Sequence, residues 1–220
     1  MKILSLFDYS GEAVKPYAEN GHKVFTLDIK VPQILHPNRT HIVENILDFG
    51  PDKRYIRDGL WSNHLPETFD TIFAFVPCTD FALCGAKHFA AKDADGRTTQ
   101  SIALVKKTLE IIQYYKPRVW VIENPMSRIH KLVPELGSPR FKFHPYEFGG
   151  WVENGENRRK QTWLWGQFNI PEKRPIEPEP KNKHGSGDWI NKVGGKTEKT
   201  KEYRSMTPRG FAKAFYEANK

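Results

Sequence analysis

Two residues able to do covalent chemistry stand at matching places in this chain. Cys78 follows Pro77 directly after the apolar run Thr71–Val76, and Glu123 follows the apolar run Val119–Ile122 at the head of Glu123-Asn124-Pro125. A cysteine at the mouth of a strand is a candidate nucleophile, and a turn or helix after it would supply backbone amides that lower its pKa. A glutamate in the equivalent place is a candidate general acid, or a partner for a base's ring nitrogen and amino group. Alone, a cysteine is more often a small buried apolar side chain, and a glutamate is as readily a cap or an ion-pair partner. Together at the ends of two strand-like runs, they point to nucleophilic attack supported by an acid.

Three further acids occupy comparable positions. Asp8 ends the apolar opening run Lys2–Phe7, Asp28 ends Lys23–Leu27, and Asp48 lies beyond His41-Ile42-Val43. The elements needed to position all five residues are legible. A strand over residues 2–7 meets the turn Asp8-Tyr9-Ser10-Gly11, and Ala13, Val14, Tyr17 and Ala18 then recur at helical spacing before the strand Lys23–Asp28. A third strand is expected at His41–Val43 and a fourth at Thr71–Val76. An amphipathic helix over 98–115 is broken by Pro117 ahead of a fifth strand at 119–122. Gln161–Trp165 reads as a strand. Residues 171–206 lack periodicity, and Thr207 as N-cap with Pro208 in the first position starts a closing helix that buries Phe211, Ala214, Phe215 and Ala218.

Strands alternating with helices predict a mostly parallel sheet covered by helices on both faces, with ligands held beyond the carboxyl ends of its strands. That topology gathers Asp8, Asp28, Asp48, Cys78 and Glu123 along one edge. Gly-x-Gly-x-x-Gly does not follow the first strand, which argues against a nicotinamide-dependent oxidoreductase.

At 220 residues with 38% hydrophobic content, one domain over residues 1–220 is expected. No run approaches the roughly 20 apolar residues of a membrane span, and the first residues lack a signal-peptide layout, so the expectation is a cytoplasmic protein without a membrane partner. Cys78 and Cys84 suggest neither a disulfide framework nor a zinc site, and the histidines show no ligand-like pairing, so no metal is expected. The net charge is +8, and residues 151–220 carry 15 Lys and Arg against 9 Asp and Glu. A basic C-terminal third favours a polyanion such as nucleic acid.

Pro77-Cys78 and Glu123-Asn124, in this order and spacing, resemble the Pro-Cys and Glu-Asn motifs of the cytosine-C5 DNA methyltransferases. The segment Leu6-Phe7-Asp8-Tyr9-Ser10-Gly11 resembles that family's first loop, although Tyr9 replaces a glycine and Asp8 a serine; in this form it is similar to small bacteriophage members. The resemblance implies a Rossmann-like fold dependent on S-adenosylmethionine (SAM), with Cys78 adding to C6 of cytosine and Glu123 engaging N3 and the exocyclic amine. It implies cofactor contacts at Phe7, Asp8, Ser10, Gly11, Asp28 for the ribose, the adjoining Ile29, Asp48 near the adenine amine, and Pro77. Arg158-Arg159-Lys160-Gln161 is similar to the family's arginine strand: in one register Gln161 takes the arginine's place and Arg159 holds the cytosine carbonyl. Asn124, Arg158, Lys160 and Gln161 are the accompanying substrate contacts. The closing helix, 207–220, resembles the one that packs on the N-terminal cofactor region.

Family members that read a sequence carry a target-recognition domain where this chain has only the basic, weakly patterned segment 167–206. Three readings follow. The acceptor is DNA, single- or double-stranded, with relaxed recognition; or the same chemistry acts on a free deoxycytidine nucleotide whose phosphate Arg158, Arg159 and Lys160 hold; or the chain is a catalytically silent SAM- or nucleic-acid-binding module. A bacteriophage origin, and with it the host cytoplasm, rests on the resemblance alone. Segment 86–100 resembles nothing in the family.

Overall fold

β1 (Lys2–Leu6) is apolar or fully buried at every position after the first because parallel strands flank it on both sides and helices cover both faces. In the computed structural model, residues 1–32, 36–50, 65–181 and 205–220 are described in full, and 55–57 and 60–62 by their backbone. β2 (Lys23–Asp28) and β3 (Arg39–Val43) continue the sheet on one side of β1. On the other side lie β6 (Thr71–Ala74), β7 (Val119–Pro125), β9 (Thr162–Gln167) and β8 (Phe141–Phe143), in the order β3-β2-β1-β6-β7-β9-β8. The first five run parallel, and β9 is antiparallel to both neighbours. A separate antiparallel hairpin pairs β4 (Tyr55–Arg57) with β5 (Leu60–Ser62). The expected Rossmann-like sheet is present; the hairpin and β8 are additions that the sequence pattern did not announce.

Strand side chains alternate between two cores. Leu4, Leu6, Ile72, Ile122 and Trp165 face α3 (Arg97–Tyr115). Ile3, Phe73, Val121 and Leu164 face α1 (Lys15–Glu19) and the closing helix α5 (Arg209–Asn219). α5 is seated by rings: Phe211 stacks on Phe143 at 4.2 Å, and Tyr216 meets Tyr17 edge-on at 4.9 Å. Aromatic pairs of this kind contribute about 0.5–1.5 kcal/mol beyond their buried area.

Three local expectations are corrected. α5 begins one residue later than expected: Pro208, not Thr207, is the capping residue, and the first amide is held by the Glu156 carboxylate at 3.1 Å, 53 residues away. Ala218 is half-buried, and Tyr216 and Asn219 share the buried face instead. The segment expected to lack order is ordered over 171–181; Glu179 is buried, and its main-chain amide bonds to the Asn157 carbonyl. Residues 182–204 lie outside the described residues.

Glycine is required at one strand position. Gly166 has φ +139°, and a Cβ there would run into the Trp120 carbonyl of the neighbouring strand.

Candidate active site

β6 gives way to the turn Phe75–Phe81. The Phe75 amide still bonds to the Leu6 carbonyl at 3.1 Å, so the chain keeps the direction of the sheet past its last paired strand residue. The Cys78 carbonyl then accepts the amides of Phe81 and Ala82 at 3.0 and 2.8 Å, closing a tight turn with Cys78 half-buried at its start. Those amides are therefore spent on the main chain and not on sulfur. Burial raises the Cys78 thiol above its ordinary range, opposed by the Lys160 cation and reinforced by Glu123, contrary to the lowering expected from the sequence.

Glu123 stands near the carboxyl end of β7, paired with Leu164 of β9, and is half-buried on the face that α5 covers. Its carboxyl is also raised by burial, and Lys160 again opposes the shift. One ammonium thus acts on both the thiol and the carboxyl. The raised carboxyl holds its proton at a higher pH than an ordinary glutamate.

A crevice beside Glu123 is lined by Arg158, Lys160, Thr162 and Leu164 on one side and by Ser205–Pro208 and Phe211 on the other. Cys78 lies outside this lining but within electrostatic reach of Glu123 and Lys160. The period-two alternation that places Leu164 with Glu123 also brings Thr162, Lys160 and Arg158 to that face. Arg159 and Gln161 turn away: Arg159 donates to the Glu179 carbonyl at 2.7 Å and lies over the Tyr146 ring, and Gln161 accepts from the Trp163 indole at 3.0 Å. The structure therefore brings Lys160 and Arg158 to Glu123 and does not bring Arg159 or Gln161. Asn124 is fully buried, its amide donating to the Val76 carbonyl at 3.0 Å.

The second group of expected residues lies beyond the ends of β1, β2, β3 and β6. Phe7 adopts φ +58°, a left-handed conformation uncommon for a non-glycine residue. Asp8 is buried and accepts from the Ser5 hydroxyl at 2.7 Å, the Ser10 hydroxyl at 3.1 Å and the Gly11 amide at 2.6 Å. This carboxylate organises the turn from within, with Gly11 as its one glycine. Gly11 has φ +70°, and a Cβ there would collide with the Arg39 guanidinium, which donates to the Ser10 carbonyl at 2.8 Å.

Asp28 is half-buried, its carboxyl raised by burial although it accepts the Lys30 amide at 2.9 Å. The following loop is tied down by His41, whose Nε2 lies 2.8 Å from the Lys30 carbonyl and whose Nδ1 lies 2.8 Å from the Thr26 hydroxyl. A carbonyl only accepts, so Nε2 carries a proton, and burial lowers the pKa of this imidazole. Ile29 is 71% exposed; Asp48 and Pro77 are also exposed.

Sequence reasoning missed Ser205 and Met206 as crevice residues and saw Thr207 only as a cap. It also missed the clamp on the Cys78 turn. Lys92, in α2 (Phe89–Ala94), donates to the Thr79 carbonyl and pairs with Asp80 at 3.2 Å, and Ser101 donates to the other Asp80 oxygen at 2.7 Å. Lys160 was expected as a substrate contact, and counting back by twos from Leu164 is the signal that sets it beside Glu123. Nothing local marked Lys92.

No protein-family model and no curated protein matches this chain. Among solved structures it is similar to a prophage-encoded E. coli protein, named provisionally as a DNA modification methyltransferase, with a TM-score of 0.52 and 16% identity. The likeness is one of fold, a Rossmann-like α/β sheet. The match covers 81% of this chain and 52% of that one, so this chain spans about half its length. Among the described residues no helix is long and apolar enough to cross a membrane, and no group of three or more His, Cys, Asp or Glu could hold a metal ion.

Proposed function

We propose that this protein is a SAM-dependent methyltransferase that modifies C5 of cytosine in DNA through a covalent Cys78 adduct. The observation that carries the reading is the convergence of a half-buried thiol, a half-buried carboxyl inclined to keep its proton, and one ammonium that acts on both.

The chemistry follows from the weakness of C5 as a nucleophile. Cys78, as thiolate, adds to C6, and the ring electrons move toward C5 and N3. Glu123 donates a proton or hydrogen bond at N3, and the Lys160 cation stabilises the thiolate before attack and developing negative charge after it. Once C5 is methylated, loss of its proton and expulsion of the thiolate restore the aromatic ring and free Cys78.

The donor set at the strand ends suits an adenosine-bearing cofactor. Asp28 would accept from the ribose hydroxyls, exposed Ile29 would lie against the purine and Asp48 near its amine. The turn organised by Asp8, with Phe7, Ser10, Gly11 and Pro77, would hold the amino-acid end. When bound, the cofactor supplies an electrophilic methyl group. Arg158 and Lys160 beside Glu123 also favour a second acceptor, a free deoxycytidine nucleotide, whose phosphate they would neutralise.

Labelled methyl transfer to duplex DNA, single-stranded DNA and dCMP, with wild type and Cys78→Ala, tests the reading. Label on DNA that is lost in the variant supports it, and label on dCMP alone selects the nucleotide. Cofactor binding without transfer to any acceptor sinks the enzyme reading in favour of a binding module.

A further inference from the structure

Arg128 lies five residues beyond Glu123, and its side chain reaches back to the turn that bears Cys78. Its Nε and Nη2 donate to the Asp80 carbonyl at 3.3 and 3.2 Å, two residues after the cysteine. Nη1 and Nη2 fork onto the two Asp93 carboxylate oxygens at 2.9 and 2.7 Å, Nη2 also reaches the Thr98 hydroxyl at 3.1 Å, and the guanidinium stacks on Phe89 at 3.7 Å. The main chain joins the same two segments: the Arg128 amide bonds to the Phe81 carbonyl at 3.0 Å and the Leu83 amide to the Met126 carbonyl at 3.1 Å. Buried Lys92, on the same helix as Asp93, holds the Thr79 carbonyl. Two cations thus grip consecutive carbonyls directly after the nucleophile, one from α2 and one, Arg128, from the N-cap of α4 (Ile129–Leu132), which follows the strand that carries Glu123.

We infer that Arg128, anchored by Asp93, is a positioning residue that fixes the Cys78 turn relative to Glu123. The inference rests on the functional reading above for what the geometry serves, although the clamp itself is independent of that reading. A planar fork that binds a carboxylate, a carbonyl and a ring face together specifies one orientation, which a lysine's single ammonium does not. Arg128 and Lys92 grip main-chain carbonyls of the turn, so the clamp acts through the geometry and burial of Cys78.

The test follows iodoacetamide alkylation of Cys78 against pH in the whole 220-residue chain, with exposed Cys84 as the internal reference, in wild type, Arg128→Gln, Arg128→Lys and Asp93→Asn. Asp93 is about half exposed, so its variant loosens the fork without emptying a buried site, and it decides the matter should Arg128→Gln fail to fold. Loosening the turn wets the thiol. Alkylation of Cys78 relative to Cys84 then rises several-fold and its midpoint falls toward that of an ordinary cysteine, most in Arg128→Gln and less in Arg128→Lys and Asp93→Asn. Methyl transfer falls roughly tenfold or more in kcat with the acceptor KM little changed, because reacting groups are displaced and not removed. A folded Arg128→Gln with wild-type alkylation rate and midpoint overturns the inference. A wild type that alkylates as described but transfers no methyl group sinks the functional reading and leaves the clamp standing.

Discussion

The Asn124 side-chain amide donates to the Val76 carbonyl across 3.0 Å, joining the strand end that carries Glu123 to the residue two before Cys78. Asn124 is fully buried, and its Oδ1 has no hydrogen-bond partner among the described residues. Its neighbour in the sequence faces the crevice while it faces the protein, so the Glu-Asn pair divides between crevice and framework.

Asn124→Ala leaves the Val76 carbonyl unpaired in a dry environment, which costs about 1–3 kcal/mol. Urea unfolding should show that loss with an unchanged denaturant slope, and methyl transfer should fall while cofactor affinity holds. Wild-type stability in the variant would mean that water replaces the amide.

Lys160 pulls both the Cys78 thiol and the Glu123 carboxyl down against burial. Replacing it with methionine removes the opposing cation, so both groups titrate at higher pH. The Cys78 alkylation profile should move to higher pH, and both limbs of the transfer-rate profile should move the same way. Movement of one limb alone would show that Lys160 faces only one of the two groups.

Glu123 also makes a stability statement. Its folded pKa is raised above the unfolded value, so folding favours the protonated form: the contribution is fully present below the unfolded carboxylate pKa and is lost as pH rises through the raised folded value. Glu123→Gln should be more stable than wild type at neutral pH and similar in mild acid, while losing transfer activity. Thermal unfolding at the two pH values checks the sign.

Gly166→Ala should destabilise the protein by more than about 1 kcal/mol, since φ +139° disfavours any side chain and the new methyl meets the Trp120 carbonyl of β7. Separation of β9 from β7 would also displace Lys160. A loss of transfer in step with the loss of stability is expected; an intact fold with wild-type activity would show that the sheet edge absorbs the change.

Much of the sheet was open to reading because a parallel strand buried on both faces must be a short continuous apolar run. Thr71–Val76 and Val119–Ile122 have no other economical fate, and the residues that end them fall on the carboxyl edge. The edge strand β8 and the β4–β5 hairpin were not open in this way: three residues each, they depend on what they pair with more than on their own pattern.

The chain's own alternation determined that Cys78 and Glu123 stand at strand ends with acids at the ends of neighbouring strands, because hydrophobic periodicity is a local property. Which cation accompanies them was decided in three dimensions. Arg158-Arg159-Lys160-Gln161 offers two phases of a period-two pattern, and only the pairing of Leu164 with Glu123 selects the phase that turns Lys160 and Arg158 inward and sends Arg159 to Glu179. The Arg128 and Lys92 grip on the turn after Cys78 was likewise beyond sequence reading, since it joins groups 48 and 13 residues apart whose contact exists only once β6, β7 and α2 have come together.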